Sequence, residues 1–230
     1  MIDPVRKDLW LREFHLNGFL VLRDFLPRDL VQAMHDQLLP LVRGEYERIE
    51  REGLQRLRAP GRLSLDVGRY ADLLGGPLAD PLYRNNPVIE EMAEAILGPP
   101  GTWGRGRSQV ECAFPGCGYM TWHPDQTPDE TPPGEGPHRT VRLTFNIPLV
   151  PFTWATGAME LLPTTHLLPR AFVDRSVQDI PSLYPVRLDL ALGDALLRDG
   201  NGLHRGSPNV SDAPRLMLDQ TYRTAARPAA

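Results

Sequence analysis

A chain of 230 residues, 41% hydrophobic and 23% charged, is long enough for one sizeable core and suits a single β-rich domain over 1–230 better than two small ones. The net charge of −4, with no run of five or more Lys or Arg, argues against capture by nucleic acid or an anionic membrane, so the expected partner is a small molecule, met by a monomer or a homodimer. No 18-residue apolar stretch exists and MIDPVRKDLW has no apolar h-region, which makes the cytoplasm the expected compartment; the two cysteines, Cys112 and Cys117, exclude a disulfide framework and read as buried free thiols.

The part from 1 to about 98 reads mainly as helices. From Arg28 to Ile49, Leu30, Val31, Met34, Leu38, Leu41 and Val42 recur at three- and four-residue steps and predict one buried stripe, with Pro40 expected to kink or end the helix. A second helix is predicted after Asn86, an N-cap residue, with Pro87 in the first helical position and Gly98 past the end; Val88, Ile89, Met92 and Ile96 form its apolar face. Phe19–Leu22 is a short apolar run that suits a strand.

From about 99 to 224, short β-branched and aromatic runs separated by Gly, Pro and Asn predict a sandwich or barrel. The expected strands are Gln109–Phe114, Tyr119–Asp125, Thr140–Val150, Ala158–Leu162, Val186–Leu190, Ala195–Arg198 and Arg215–Tyr222. The acidic, Pro- and Gly-rich stretch from Asp125 to Arg139 has little to bury and is expected to be an exposed loop, in the place of a lid.

In TWHPDQT, His123 and Asp125 stand two apart, which on a strand puts an imidazole and a carboxylate side by side. Pro124 between them cannot donate to a ladder, so a strand end or edge is expected. With a second histidine from elsewhere this becomes the two-His, one-carboxylate set that holds iron(II) and leaves coordination positions open. The later segment GDALLRDGNGLHRGSPNVSDAPR holds a candidate for it, His204, after a Gly-Asn-Gly turn. Arg215 opens a strand on which Met217, Asp219 and Thr221 share its face. A guanidinium aimed into a barrel needs an anionic partner, and a dicarboxylate matches its planar fork; a surface arginine pairing with Asp212 or solvent, which Pro214 permits, is the alternative.

The order His123-x-Asp125, GAMELLPTTH (Gly157–His166), Gly193-Asp194 and HRGSPNVSDAPR (His204–Arg215), with the N-terminal GFLVLRDFL and NNPVIEEMAEAILG, resembles the phytanoyl-CoA dioxygenase family from about Phe14 to Tyr222. The resemblance implies a mainly β fold, a double-stranded β-helix (a jelly-roll or cupin-like barrel) backed by N-terminal helices. It implies Fe(II) on His123, Asp125 and His204, 2-oxoglutarate held through its distal carboxylate by Arg215, and O2 as the oxidant. The implied reaction hydroxylates an unactivated C–H bond of a small metabolite and releases succinate and CO2. Thr144 and Asn146 share the polar face of TVRLTFNIPLV and match a strand that lines the co-substrate pocket; the opposite face, Val141, Leu143, Phe145 and Ile147, is the alternative. Where many relatives carry Ser two residues beyond the second histidine, this chain has Gly206, with Ser207 next.

A mononuclear zinc hydrolase on the same three ligands is the competing enzyme reading, but it leaves Arg215 without a role; a non-catalytic barrel that only binds is the third. For Trp103, Trp122, Trp154 and Tyr70 a core role outweighs pocket lining, for Arg62 and Arg69 an exposed position outweighs a contact to an anionic substrate, and His166 reads as a turn-forming structural residue.

Overall fold

Side-chain alternation along the strands divides the molecule into a helix-covered layer and an interior between two sheets. The computed structural model describes residues 2–54, 59–68, 75–127, 139–169 and 184–224. Within them run β1 (Phe19–Leu22), β2 (Arg62–Asp66), β3 (Trp103–Ala113), β4 (Arg142–Pro148), β5 (Met159–Leu161), β6 (Val186–Arg187), β7 (Ala195–Asp199), β8 (His204–Gly206) and β9 (Arg215–Thr224). A six-stranded antiparallel sheet has the order β1-β7-β4-β9-β3-β2, and a three-stranded one the order β6-β5-β8. This is the double-stranded β-helix, with helices on the outer face of the larger sheet.

In β4, Leu143, Phe145 and Ile147 enter the main core, and in β9 Leu216, Leu218 and Tyr222 do the same. Helix α1 (Pro4–Asn17), α2 (Arg28–Glu52) and α4 (Pro87–Leu97) cover that face, while the short α3 (Pro81–Arg84) precedes α4. The stripe on α2 buries Val31, Met34, Leu38, Val42 and Ile49, each stabilising by about 1.5–3 kcal/mol before entropy is counted. Pro40 does not break α2. It lies on the exposed side, where water can meet the carbonyl it leaves without a donor. Helix α4 begins and ends where the sequence predicts: Asn86 Oδ1 accepts from the Val88 and Ile89 N–H groups, and the Gly98 N–H donates to Glu94 O at φ 118°. Its face is rotated slightly, burying Ile89, Met92, Ala93 and Leu97 and leaving Val88 and Ile96 half-buried.

Three strand expectations change, one being the short β8, His204–Gly206, which falls in no expected strand. Tyr119–Asp125 is not a strand; only His123 makes a bridge, to His204, because Pro124 has no N–H to extend a ladder. Arg62–Asp66 is a strand, β2, paired along its length with β3. Most of the expected acidic loop, 128–138, lies outside the described residues, as do Arg69 and Tyr70. No helix among the described residues is long and apolar enough to cross a membrane.

Candidate metal centre

The second face of the large sheet, turned toward β6-β5-β8, carries the polar residues. Register puts Asn146 opposite Asp219 and Thr144 opposite Thr221 on β4 and β9, and Thr144 opposite Arg198 on β7. Residues directly opposite in a ladder share a face. Thr144 and Asn146 therefore face the interior with Arg215, Met217, Asp219 and Arg198, while Leu143, Phe145 and Ile147 face the helices.

His123, Asp125 and His204 converge at one end of this interior, each offering one ligand atom within 4.8 Å of the others. Backbone pairing brings them together. His123 and His204 exchange both main-chain hydrogen bonds, each 3.1 Å, and the imidazole centroids lie 4.4 Å apart. Asp125 is placed not by strand alternation but by the Gly200 carbonyl, which accepts from the Asp125 and Gln126 N–H groups at 2.8 Å each. That carbonyl is fixed in turn: Asp199 Oδ1 accepts from Asn201 N–H, Asp199 Oδ2 accepts from Thr140 Oγ1, and Asn201 Nδ2 donates to the His166 and Leu168 carbonyls.

The tautomers follow from the carbonyls. His123 Nδ1 is 2.8 Å from Thr121 O and His204 Nδ1 is 3.1 Å from Gly202 O. A carbonyl oxygen only accepts, so Nδ1 of His123 carries the proton; at His204 the Gly202 carbonyl is nearer to Nδ1 than Arg198 Nη1, which stands 3.3 Å away, and the same tautomer leaves each Nε2 its lone pair. His204 Nε2 lies 3.7 Å from Asp125 Oδ1, so the free lone pair of this imidazole faces the carboxylate. Arg198 Nη2 pairs with Asp125 Oδ2 at 2.5 Å, Arg198 Nε donates to Asn146 Oδ1, and Arg142 Nη1 donates to the Asp125 carbonyl at 2.9 Å. Burial opposes charge on Asp125, but Arg198, His204 and Arg142 outweigh it and hold the carboxyl well below its ordinary range. Burial, then Arg198, pushes His204 well below the usual imidazole value. The site is thus an ionised carboxylate and a neutral imidazole at neutral pH, the states in which both bind metal.

The cavity beside the three ligands is lined by Arg62, Glu111, Met120, Met159, Arg215 and Asp219 among others. Arg215 is buried, lies over Phe152 at 4.9 Å, and its side chain makes no hydrogen bond or ion pair with any described residue. Burial, then Arg62, brings it down to about 10, so it remains a cation. A buried guanidinium with an orphaned Nε fits an anionic ligand. Asp219 also lines the cavity, its buried Oδ1 has no hydrogen-bond partner, and burial, then Asp125, pushes it up to about 7.

Of the sequence-predicted residues, His123, Asp125, His204 and Arg215 meet in one cavity. Thr144 and Asn146 are buried beneath its wall rather than in it, Asn146 bonded to Arg198. Arg62 is a correction: it is 4% exposed because β2 carries it inward, and period-two alternation in RLSLD, with Arg62, Ser64 and Asp66 on one face, is the signal. Arg198 and Asp219 were likewise visible as charges on the inward faces of otherwise apolar strands. Of the tryptophans, none lines the cavity: Trp103 packs against Tyr222, Trp122 joins Leu162 and Leu203, and Trp154 is exposed. His166 is buried, its Nε2 3.1 Å from His15 O, and Gly18 gives its ring room: a Cβ there would meet His166 Cγ at 2.7 Å. Both cysteines are free and buried.

Comparison with known proteins agrees with this geometry. A family model described as phytanoyl-CoA dioxygenase (PhyH) matches residues 14–217. Dioxygenase FrzG from Cladobotryum sp is 26% identical over 211 residues, 85% of this chain and 67% of that protein. The fold is shared with two solved structures. One is the epimerase SnoN in complex with Fe3+, alpha ketoglutarate and nogalamycin RO (TM-score 0.69, 20% identity, 98% of this chain and 88% of that one). The other is the alpha ketoglutarate dependent carbocyclase SnoK from nogalamycin biosynthesis (TM-score 0.65, 18% identity, 94% and 83%).

Proposed function

The chain belongs to the phytanoyl-CoA dioxygenase family, and on that premise we propose that it hydroxylates an unactivated C–H bond of a small molecule, with Fe(II), 2-oxoglutarate and O2. The observation that carries the reading is the meeting, in one cavity, of a His-Asp-His set and a buried arginine whose Nε has no hydrogen-bond partner and which makes no ion pair among the described residues. Iron bound there, with 2-oxoglutarate and dioxygen, supplies the oxidation of the C–H bond, and the co-substrate leaves as succinate and CO2.

The chain's own residues bind, orient and exclude water. His123, Asp125 and His204 hold the metal, and the backbone bonds to Thr121, Gly202 and Gly200 fix their directions. Arg215 takes the distal carboxylate of the co-substrate in paired hydrogen bonds. Asn146 acts at one remove, steadying Arg198 against Asp125, and Thr144 lies beneath the wall opposite Arg198 in the β4–β7 ladder. Met120, Met159 and Met217 give the reacting side of the cavity a pliable apolar lining. The net charge of −4 and the small cavity suit a small-molecule substrate.

The test begins without a substrate: Fe(II) and 2-oxoglutarate added anaerobically should give a weak visible charge-transfer band, absent from His123→Ala. In air, a panel of small metabolites is screened for succinate release, and the product is analysed for one atom of 18O from 18O2. Succinate formation that survives His123→Ala overturns the iron site. A product epimerised or cyclised without incorporated oxygen, the outcomes named for SnoN and SnoK, overturns hydroxylation but leaves the oxygenase intact.

A further inference from the structure

With the metal and the co-substrate assigned, one charged group in the described lining of the cavity has no task. Asp125 is paired with Arg198, Arg62 Nη2 donates to the Gly118 and Ser207 carbonyls, and Glu111 Oε1 accepts from Ser64 Oγ, which accepts in turn from Gln109 Nε2. Arg215 is committed to the co-substrate. Asp219 lines the same cavity and is 8% exposed, yet its side chain makes no hydrogen bond or ion pair with any described residue, and its buried Oδ1 has no partner. A carboxyl so placed has lost the water that would hydrate it and has gained no donor in exchange, a state that a ligand with a donor relieves.

Strand geometry keeps this carboxyl apart from the co-substrate anchor. Arg215, Met217 and Asp219 point the same way from β9, and four residues of strand set the Cα atoms of Arg215 and Asp219 about 13 Å apart, with the Met217 side chain between them. The register partners of Asp219 are Gln109 on β3 and Asn146 on β4; Gln109 Nε2 is turned to Ser64 and Asn146 Oδ1 to Arg198, and neither residue donates to Asp219. The lining near it is otherwise apolar, from Met120, Met159 and Met217. An apolar cavity with one placed polar group is how a binding site fixes the orientation of a small molecule. Charge narrows the choice of molecule. The cations Arg62, Arg198 and Arg215 face the acids Glu111, Asp125 and Asp219, and iron(II) and the co-substrate dianion add equal and opposite charge, so an ammonium or a further carboxylate would leave a buried charge uncompensated. A hydroxyl adds none, and because it both donates and accepts it can meet a carboxyl with or without its proton.

We propose that Asp219 determines the specificity for the organic substrate, its carboxyl bonding a hydroxyl of a neutral molecule whose remaining surface is apolar and packs against the three methionines. This rests on the oxygenase reading above and names the substrate class for it. The hydroxyl held by Asp219 then fixes which C–H bond of the apolar frame is turned toward the metal.

The full-length protein is made as wild type, Asp219→Asn and Asp219→Ala; removing a buried carboxyl that has no partner relieves its desolvation, so both variants should fold. Alicyclic, terpenoid and aromatic alcohols, each with its deoxy and its amino counterpart, are screened by the succinate they release in air and by the rise in melting temperature they cause in metal-free protein. An alcohol should lead in both readouts, with its deoxy counterpart at least tenfold lower in kcat/KM. Asp219→Ala should raise KM for that alcohol about ten- to a hundredfold with a smaller change in kcat, and Asp219→Asn, which keeps an acceptor oxygen, should lie between. The deoxy compound should respond to neither variant, a difference that general damage to the fold would not produce. A deoxy or amino compound that leads, a panel in which no alcohol releases succinate, or an alcohol whose KM ignores Asp219→Ala overturns the proposal with the oxygenase reading standing. Loss of the anaerobic iron(II) and 2-oxoglutarate band in the variants also overturns it, by giving Asp219 to the metal or the co-substrate. A wild type that never shows that band overturns both.

Discussion

At the scale of single side chains, what suits the His-Asp-His set to a metal rather than to an ion-pair cluster is which ring nitrogen holds the proton. Backbone carbonyls of Thr121 and Gly202 take each Nδ1–H, so iron and proton do not compete for one atom. Arg198 has the matching role for the carboxylate. Replacing Arg198 with Met should weaken Fe(II) or Co(II) about ten- to a hundredfold in a metal titration, since Asp125 Oδ2 loses its charged partner and the carboxylate is no longer held in one pose. Asp219 supplies a pH prediction. Its folded-state value, about 7, lies above the ordinary 3.8, so the folded protein keeps a proton that the unfolded chain has released between those values. Stability from this group therefore falls as pH rises from about 4 to 7. Urea unfolding of metal-free protein should show Asp219→Asn gaining on wild type across that window, by on the order of a few kcal/mol, and no further above it.

At the scale of elements, legibility followed how local the determinants were. Helix α4 could be read end to end because Asn86, Pro87 and Gly98 are local signals, and Asn86→Ala should cost about 1 kcal/mol in denaturant unfolding by freeing the Val88 and Ile89 N–H groups. Strands β4 and β9 were legible from alternation, though which face of β4 turns inward depended on its register with β9, a pairing across about seventy residues that no local pattern states. The segment around His123 misled for the same reason. Its two ligands look like neighbours on a strand, yet Asp125 is placed by the carbonyl of Gly200, and Pro124 stops the ladder that alternation would need. Strand β2 escaped notice because five residues of mixed polarity look irregular until β3 pairs with them. In α2, an exposed Pro40 was tolerated where propensity alone called for a break.

For the whole molecule, the two layers explain the cysteines. Cys112 packs into the main core and burial pushes its thiol up to about 12; Cys117 is buried as well. An aromatic disulfide reagent should therefore find no reactive thiol in the native protein and two after unfolding in urea, with the rate of labelling in dilute denaturant tracking global opening. Ligands that bridge the sheets should slow that labelling, because they bind only the folded state.

The ladder between His123 and His204 also sets a condition on synthesis. The two histidines are eighty-one positions apart (204 − 123), and β9, which carries Arg215, sits between β4 and β3 in the middle of the large sheet. A chain emerging from the ribosome at about 5–20 residues per second has its first two ligands exposed seconds before the third exists, and the sheet cannot close until its last strand slots into the gap. Iron capture is thereby postponed until β9 has been made, so a chain truncated before β9 should leave the ribosome without a competent site.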